Sequence, residues 1–502
     1  MEGFPAHQWR LASVLWLWTA FLASAFSPTA SIAASNSKSV CIIGSGIGGA
    51  SLAHFLRAYE PYTPMRIIMF EKNQIVGGRM STVTVSCETF EAGASILHPL
   101  NYHVSNFTQM LNLKRKPPPS SETDFSLGIW NGRQFLFKTI SSNSKLPFIN
   151  KIVRFANAAF LFLRYGFSLF RMNGFVEDTV NKFLKFYQKN TTRPEFKSVE
   201  DMLKWAGLYN LTARTLNEQL IDIGLSPLLI QELITVIMRI NYGQSCQISG
   251  LAGAVSLAGS SDGLWAVEGG NWLVARGLIS ASDVELHLDE EISSVSLIGE
   301  KYEMNSTRGR SYTCNVAVVA SPLDEQNIQF NPAISIPSRK MQHTHATFVR
   351  GVINPGYFGL KSVSEVPELV GTIEDATIPF SSISVLKRRS DNDVFYKIFS
   401  RDDLPDNLLE EIFRERKETT RINWAAYPQY EAPEVYAPFV LDNHHLYYVN
   451  AFENAASTME TSAVAAENVA RLIISRFFGH PPTSHFDGDR DDDGRIAFHS
   501  DL

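Results

Sequence analysis

The chain has 502 residues, which is long enough for two domains and a large hydrophobic core. Hydrophobic residues make up 45% of it and the formal net charge is -6, so the composition is that of a globular protein and argues against nucleic acid as a partner. The 33 phenylalanines could serve an apolar ligand pocket, although ordinary core packing is the simpler explanation.

Residues 1–34 have the pattern of a signal peptide. Arg10 closes a short polar start, an apolar run covers residues 11–26, and small residues lead to a cleavage point near Ala33 or Ala34. An uncleaved anchor is the alternative, but the run is short for a membrane span. The leader predicts entry into the secretory pathway. The final HSDL is only loosely similar to a retrieval signal, so we expect the lysosome or vacuole lumen as the destination.

Four N-x-[ST] sequons follow the leader and suit a glycosylated lumenal protein. The predicted acceptors are Asn106, Asn190, Asn210 and Asn305. The four cysteines are not predicted to form a disulfide framework. Cys41 and Cys314 lie in apolar, strand-like runs and are predicted to be buried small hydrophobic residues. No cluster of cysteines or histidines suggests a metal site.

The folded part begins with a predicted β-α-β unit. SVCIIG and MRIIMFE are apolar runs typical of buried parallel strands, and GASLAHFLRAY between them has helical periodicity. Gly44, Gly46 and Gly49 fit G-x-G-x-x-G at the turn into the helix, whose N-terminus would face a pyrophosphate. Glu71 ends the second strand, where its carboxylate can accept the ribose hydroxyls and would repel the 2'-phosphate of NADP. FAD and NAD both remain open at this point.

The next residues resemble a known flavin motif. Gly77, Gly78 and Arg79 follow Glu71 as in the E…GGR stretch of FAD-dependent amine oxidases and glutathione-reductase-type flavoproteins. The resemblance implies FAD, with Gly78 close to the diphosphate and Arg79 near the phosphates or the flavin ring.

A second stretch, FEAGASILHPLN at residues 90–101, is similar to the family segment that follows this motif. It implies that Gly93 and Ala94 run beside the flavin.

The middle of the chain predicts a substrate domain inserted into this Rossmann-type FAD-binding domain, which gives an α/β fold. Long helical patterns dominate residues 101–254, and HATFVRGVINPGYFG and FYKIFS suggest a mixed sheet in residues 326–439. The FAD-binding domain is assigned residues 35–100, 255–325 and 440–478, and a polar flexible tail is assigned residues 479–502.

One segment of the substrate domain, residues 155–170, is rich in phenylalanine and leucine and is interrupted by Arg164. It could line a ligand slot, lie on a lipid surface or pack in the core.

Near the C-terminus, residues 446–473 resemble the closing FAD segment of these flavoproteins. A strand, LYYVNA, meets a helix that begins with Ser457 and Glu460 in an S-x-x-E capping box, so that the helix N-terminus would lie near the flavin. The resemblance implies cofactor contacts from Glu453 and Met459, although the usual Gly-Ala pair is missing. It also implies an aliphatic residue behind the adenine, either Ile292 or Val295.

Three stretches resemble the prenylcysteine oxidase family, whose plant members are called farnesylcysteine lyases. They are residues 238–278, 345–351 and 446–470, and with the flavin motifs the resemblance covers nearly the whole mature chain. It implies that FAD takes a hydride from prenyl C1 of farnesylcysteine or geranylgeranylcysteine. Water then adds, cysteine and a prenyl aldehyde form, and oxygen reoxidises the flavin to give hydrogen peroxide.

Four polar residues in an apolar setting, Arg239, Asn241, Tyr242 and Gln244, are candidates for the cysteine end of the substrate. Their alternative role is to satisfy buried backbone groups at a domain junction. No catalytic side chain is singled out, because hydride removal needs no strong base. Two other functions stay open: an amine or polyamine oxidase, and a non-catalytic prenyl-binding carrier that resembles the Rab escort proteins.

Overall fold

The computed structural model describes residues 38–60, 62–116, 126–140, 147–188, 193–260 and 263–482. The predicted signal peptide, Asn190 and nearly all of the polar tail lie outside these residues. Within them, none of the helices combines the length and the apolar character needed to span a bilayer.

The strands and α-helices alternate along the chain in the order that a two-part α/β fold requires. The strands are β1 Lys38–Ile43, β2 Met65–Phe70, β3 Thr82–Val85, β4 Glu88–Glu91, β5 Arg115–Lys116, β6 Leu127–Trp130, β7 Phe135–Lys138, β8 Ala266–Val267, β9 Val284–His287, β10 Ile292–Ile298, β11 Lys301–Ser306, β12 Ser311–Cys314, β13 Val316–Val319, β14 Gln329–Asn331, β15 Met341–Ile353, β16 Leu369–Thr372, β17 Ser382–Ser390, β18 Asp393–Ser400, β19 Phe413–Pro428 and β20 Leu446–Tyr448. The α-helices are α1 Ile47–Tyr59, α2 Tyr102–Met110, α3 Pro147–Tyr165, α4 Ser168–Phe183, α5 Val199–Ala206, α6 Leu216–Asp222, α7 Pro227–Leu229, α8 Thr235–Tyr242, α9 Gly250–Ala258, α10 Trp272–Ala281, α11 Asp406–Ile412 and α12 Met459–Ile473.

The nucleotide-binding part is built on a five-stranded parallel sheet in the order β20-β13-β1-β2-β9. Its central strands are apolar and buried because both faces of the sheet are covered. Helix α1 packs against α10 and α12. The predicted β-α-β unit is therefore confirmed.

The substrate part combines a seven-stranded mixed sheet with a group of helices. The sheet has the order β19-β15-β18-β17-β16-β6-β7, and all of its pairs are antiparallel except β16 with β6. Helices α3, α4 and α6–α9 form a separate cluster with its own apolar core. This confirms the mixed sheet and the helical substrate domain, and it adds β6 and β7 from the stretch predicted to be mainly helical. The domain limits given above stay predictions.

The prediction for the cysteines was incomplete. Cys41 and Cys314 are fully buried, as expected, but they are joined in a disulfide, with Cα atoms 5.9 Å apart. The pairing arises because β12 ends at Cys314 just before β13, whose Ala317 lies opposite Cys41 in the sheet. Two cysteines that are 273 residues apart in the chain give no local sign of this contact.

Candidate active site

A cavity of about 1090 Å³ lies between the two parts of the molecule. One side is formed by the loops that follow β1, β2, β13 and β20, at the carboxyl edge of the parallel sheet. The other side is formed by β17, β18, the end of β19 and helices α4, α8 and α9. A ligand at the carboxyl edge is the arrangement expected of an open parallel sheet.

The three glycines of the nucleotide turn have different steric roles. Gly44 has φ +108°, and a Cβ there would lie 2.7 Å from the carbonyl oxygen of Ala320. A Cβ on Gly49 would overlap the carbonyl of Gly44. Gly46 has no atom closer than 3.9 Å to the place of its Cβ and lines the cavity, so its missing side chain leaves room for a ligand. Gly44 and Gly49 therefore serve the fold, and Gly46 serves binding.

The N-terminus of α1 borders the cavity, and its first backbone N–H groups have no acceptor among the described residues. Gly46 is the N-cap residue and supplies no side-chain hydrogen bond to the first turn. The free N–H groups and the positive end of the helix dipole therefore point where a phosphate would lie.

Glu71 is held firmly at the end of β2. Its Oε2 accepts hydrogen bonds from the Ser45 backbone N–H at 3.1 Å and the Ser45 hydroxyl at 2.6 Å. Its Oε1 accepts from the backbone N–H and the side-chain amide of Asn73 at 2.9 and 2.8 Å. The carboxylate lines the cavity and is oriented before any ligand arrives, which supports the predicted ribose contact.

Ile292, predicted to lie behind the adenine, is buried in β10 and lines the same end of the cavity. Glu290, which the sequence reasoning missed, lies there too. Its buried carboxylate accepts no hydrogen bond from the described residues and has only the guanidinium of Arg310, 3.1 Å away, as an ion-pair partner. Such an acceptor could bind a nucleotide hydroxyl or amine.

Arg79 and Glu453, both predicted to bind the cofactor, form an ion pair in which only Arg79 lines the cavity. Arg79 also donates to the carbonyl of Ala426 at 2.8 Å. Burial alone would raise the pKa of Glu453, but the guanidinium groups of Arg79 and Arg339 outweigh it and lower the pKa to about 2. Glu453 therefore acts in this structure by positioning Arg79.

The segment after β4 is strained beside the cavity. A Cβ on Gly93 would lie 3.0 Å from the carbonyl oxygen of Arg79 and 3.1 Å from the ring of Trp424. Ala94 has φ +48°, a left-handed conformation that is unfavourable for a residue with a Cβ. Its carbonyl accepts a hydrogen bond of 2.6 Å from the side-chain amide of Asn271, which holds this backbone in place.

The start of α12 differs from the prediction in one respect. The N-cap is Thr458, which forms a capping box with Thr461, so the predicted box of Ser457 and Glu460 is wrong. Ser457 instead donates to Glu453 at 3.0 Å. Glu460 instead accepts from two backbone N–H groups at the start of α2. Met459 and the first turn of α12 line the cavity, and the cofactor contact implied for Met459 stays a prediction.

The four predicted substrate residues are not equivalent. Arg239 lines the cavity, but its buried guanidinium donates to Thr372, to Glu374 at 2.7 Å and to the carbonyl of Phe380. Asn241 and Tyr242 line the cavity as well. These contacts favour the structural alternative for Arg239, and its role in holding a substrate carboxylate stays a prediction.

Gln244 does not line the cavity. It bridges the carbonyl of Pro428 and the backbone N–H of Tyr430, at 2.9 Å each. Tyr242 packs edge-to-face on Tyr427 with ring centroids 4.8 Å apart. Both rings line the cavity, and at an angle of 80° to each other they do not form two parallel walls around an amine.

Two titratable residues of the cavity were missed by the sequence reasoning. Burial lowers the pKa of Lys397 to about 8, although Glu91 acts against this, and burial raises the pKa of Glu91 to about 7. The Lys397 amine lies 3.3 Å from the Ser95 hydroxyl and 4.7 Å from the centre of the Phe399 ring. The signal that could have found it is a single lysine in the apolar strand FYKIFS.

The far side of the cavity is apolar. It is formed by residues of α4, α8, α9 and β17, among them Val180, Phe183, Ile240, Val255 and Val385. The phenylalanine-rich segment 155–170 is not part of this wall, so of its three predicted roles the slot lining is not the one it takes.

Comparison with known proteins also separates a nucleotide-binding part from the rest of the chain. The family model described as prenylcysteine lyase matches residues 148–485, and that of the NAD(P)-binding Rossmann-like domain matches residues 42–112. Farnesylcysteine lyase of Arabidopsis thaliana is 62% identical over 441 residues, 87% of this chain and 88% of that protein. Prenylcysteine oxidase 1 of Homo sapiens is 33% identical over 507 residues, 95% of this chain and 97% of that protein.

Among solved structures, cyclohexylamine oxidase from Brevibacterium oxydans IH-35A is similar, with a TM-score of 0.58 and 17% identity over 88% of this chain and 100% of that one. A putrescine oxidase double mutant has a TM-score of 0.58 and 13% identity over the same shares of the two chains. At these identities the likeness shows the fold alone.

Proposed function

The chain belongs to the prenylcysteine lyase family, and we propose that it is an FAD-dependent thioether oxidase that cleaves farnesylcysteine or geranylgeranylcysteine in the degradation of prenylated proteins. One observation carries the proposal: a single cavity of about 1090 Å³ connects the nucleotide turn with an apolar chamber. The names of the relatives, farnesylcysteine lyase and prenylcysteine oxidase, support the substrate class.

The residues present fit FAD. Gly46 leaves a gap for the pyrophosphate, the uncapped start of α1 offers N–H groups to it, and Glu71 is oriented towards a ribose. Arg79 and the first turn of α12 bring positive charge to the inner end of the cavity. When bound, FAD supplies the acceptor for the two electrons that leave the substrate as a hydride.

The apolar chamber fits the prenyl tail. Burial is worth about 0.8 kcal/mol for each methylene-sized group, so even partial burial of fifteen carbons dominates binding. Val180, Phe183 and Val255 of the helical wall supply such contacts and keep bulk water from the reacting carbon.

Lys397 and Ser95 line the cavity where they can hold the attacking water and accept its proton. Loss of a hydride from prenyl C1 leaves a cation that sulfur and the adjacent double bond stabilise. The oxygen of a water molecule then bonds to C1 and the water loses a proton. The carbon–sulfur bond breaks with transfer of a proton to sulfur, which gives cysteine and the aldehyde. Lys397, whose amine is neutral above its lowered pKa, can accept the first proton while the Ser95 hydroxyl holds the water.

The proposal extends to the surroundings of the reaction. Molecular oxygen takes the electrons and leaves as hydrogen peroxide, and the protein makes peripheral contact with a membrane. The leader in the sequence supports a location in the lysosome or vacuole lumen. Asn210 is exposed in the structure and is a suitable glycan acceptor, whereas Asn106 and Asn305 are half-buried.

Anaerobic mixing with S-farnesyl-cysteine tests the proposal. We expect purified protein to carry flavin and its visible absorption band to bleach on mixing. Admission of oxygen should then restore the band and release one peroxide for each aldehyde. Protein with tightly bound flavin that stays oxidised in this experiment would contradict the proposal.

Polyamines offered in the same assay provide the control. Peroxide from polyamines alone would identify an amine oxidase instead. A colourless protein that binds the prenyl substrate would identify a carrier.

A further inference from the structure

Helices α3 and α4 carry a dense set of outward-facing apolar side chains. Seven of the eighteen large hydrophobic residues that are exposed in the described part of the chain fall within residues 152–170. We call them the helical patch: Ile152, Phe155, Phe160, Phe162, Leu163, Phe167 and Phe170. The rings of Phe162, Phe167 and Phe170 lie 5.5 to 6.2 Å from one another, so this part of the patch is one continuous surface.

A neighbouring segment extends this surface. The Ser226 backbone N–H donates to the Ser168 hydroxyl at 3.0 Å, and Arg171 donates to the carbonyl of Gly224. These bonds place the segment around Gly224 beside the start of α4. Three further exposed apolar residues lie in this segment: Ile221, Ile223 and Leu228.

The orientation of the two helices is fixed from their other face. Leu169, Met172 and Phe175 pack against the core of the helical cluster. Arg164, near the end of α3, forms two hydrogen bonds of 2.7 Å with the buried carboxylate of Glu232. The patch therefore cannot turn inwards without breaking this packing, and an apolar surface of this density on a folded protein marks a contact site.

The charges around the patch favour one kind of contact. Residues 147–171 contain four basic residues and no acidic residue, in a chain whose net charge is -6. Glu232 neutralises Arg164, whereas Arg171 is exposed, donates to the carbonyl of Gly224 and has no acidic partner among the described residues. The next acidic residues, Glu177 and Asp178, lie on a later turn of α4, and Asp178 is paired with Lys182. Exposed aromatic and aliphatic side chains in a segment with an excess of basic residues are typical of helices that lie in an anionic lipid surface.

The patch is also connected to the cavity. Helix α4 begins at the patch, and Val180 and Phe183 at its other end line the apolar chamber. Thirteen residues separate Phe170 from Phe183, which corresponds to about 20 Å along a helix. A protein seated on lipid through the patch would thus hold its apolar chamber close to the membrane. The patch supplies a surface for the membrane contact included in the proposed function, and only this link to the chamber rests on the proposed reaction.

We propose that the helical patch docks the protein on an anionic lipid bilayer, with the Phe and Leu side chains inserted among the acyl chains and Arg171 at the headgroups. The experiment measures the fraction of purified protein that sediments with vesicles of phosphatidylcholine and phosphatidylserine, and with vesicles of phosphatidylcholine alone. The patch variant combines Phe155→Gln, Leu163→Gln and Phe167→Gln. These side chains are 77, 79 and 72% exposed, so the fold should survive their replacement.

We expect the wild type to bind the anionic vesicles and the patch variant to bind them at least about tenfold more weakly. The control variant combines Ile75→Gln, Ile298→Gln and Val435→Gln, three exposed apolar residues elsewhere on the chain, and should bind like the wild type. Equal binding by the patch variant, or equal binding of the wild type to neutral vesicles, would overturn the proposal.

Light scattering without vesicles tests a second copy of the chain as the occupant. A dimer that the patch variant cannot form would overturn the lipid assignment. Flavin bleaching by S-farnesyl-cysteine in detergent solution is measured separately, so the docking site and the proposed reaction can fail independently.

Discussion

The nucleotide turn and the pair formed by Ser95 and Lys397 border the same cavity, but they are built in opposite ways. In the turn, Gly44, Gly46 and Gly49 meet three steric requirements within six residues, and the surface offered to a ligand is backbone. In the pair, Ser95 and Lys397 meet side chain to side chain although 302 residues separate them in the chain. Recognition by backbone leaves a compact motif in the sequence, whereas recognition by assembled side chains leaves almost none.

The largest expected effect tests the turn. Gly46→Leu should reduce the flavin-to-protein ratio by more than about a hundredfold, because the added side chain would occupy the space for the pyrophosphate. The residue has φ -68°, so the fold should remain. Flavin absorbance and a thermal melt measure the two properties. Gly174→Leu is the matched control, since Gly174 also has open space around it but lies in α4. A variant at Gly46 that retains full flavin would show that the turn does not bind the cofactor.

The next largest effect tests Lys397 as the proton acceptor. Lys397→Met should slow turnover of S-farnesyl-cysteine by about a hundredfold with flavin content unchanged, because the proton acceptor is lost. In the wild type the rate should rise as the pH passes through about 7 to 8, where Glu91 and then Lys397 lose their protons. Most of this rise should be absent in Lys397→Met, a result that a merely structural role would not produce. Lys301→Met, on an exposed part of β11, is the control. Persistence of the full rise would remove Lys397 from the reaction.

A third prediction concerns the ion pair between Arg79 and Glu453, next to the cavity. The pKa of Glu453 is lowered in the folded protein to about 2, so its stabilising contribution is present above the unfolded pKa and is lost as the pH falls. Glu453→Gln should cost about 3 kcal/mol of unfolding free energy at neutral pH, measured by urea denaturation. The difference from the wild type should shrink between about pH 4.5 and pH 2. Glu365→Gln, at an exposed position, should have almost no effect at any pH. A difference that does not vary with pH would contradict the assignment.

The smallest expected effect concerns the N-glycosylation sequons. Each is a short sequence motif, but its asparagine must also be exposed to carry a glycan. Asn210→Gln should remove one glycan, seen as a mobility shift, and leave turnover unchanged because Asn210 is exposed and does not line the cavity. Asn305→Gln should give no shift, since the Asn305 amide donates to the Ser294 hydroxyl at 3.2 Å within the sheet. A glycan on Asn305 and none on Asn210 would contradict this prediction.

Much of the fold was predictable because its signals are local. Buried parallel strands are apolar throughout, and the turn after β1 needs glycine, so the β-α-β unit and Glu71 followed from pattern alone. The mixed sheet followed from the strand-like stretches HATFVRGVINPGYFG and FYKIFS. Arg79, which the resemblance to flavoproteins places near the cofactor, lines the cavity, and its contact with the cofactor stays a prediction.

The failures all involve contacts between distant segments. The capping box at α12 was misplaced by one residue because Ser457 is committed to Glu453 and Glu460 is committed to the start of α2. The disulfide of Cys41 and the role of Glu453 behind Arg79 depend on which loops meet in space. Propensity and periodicity carry no information on such partners.

The side-chain amide of Asn271 shows how few residue types fit where distant segments of the chain meet. Its oxygen accepts from the Val267 N–H at 2.9 Å while its nitrogen donates to the carbonyl of Ala94 at 2.6 Å. An aspartate offers no donor for Ala94 and a leucine offers neither group, so only a carboxamide of this length fits. Among proteins of this architecture, a carboxamide at the corresponding position should therefore accompany a left-handed residue beside the cavity, and the two should change together.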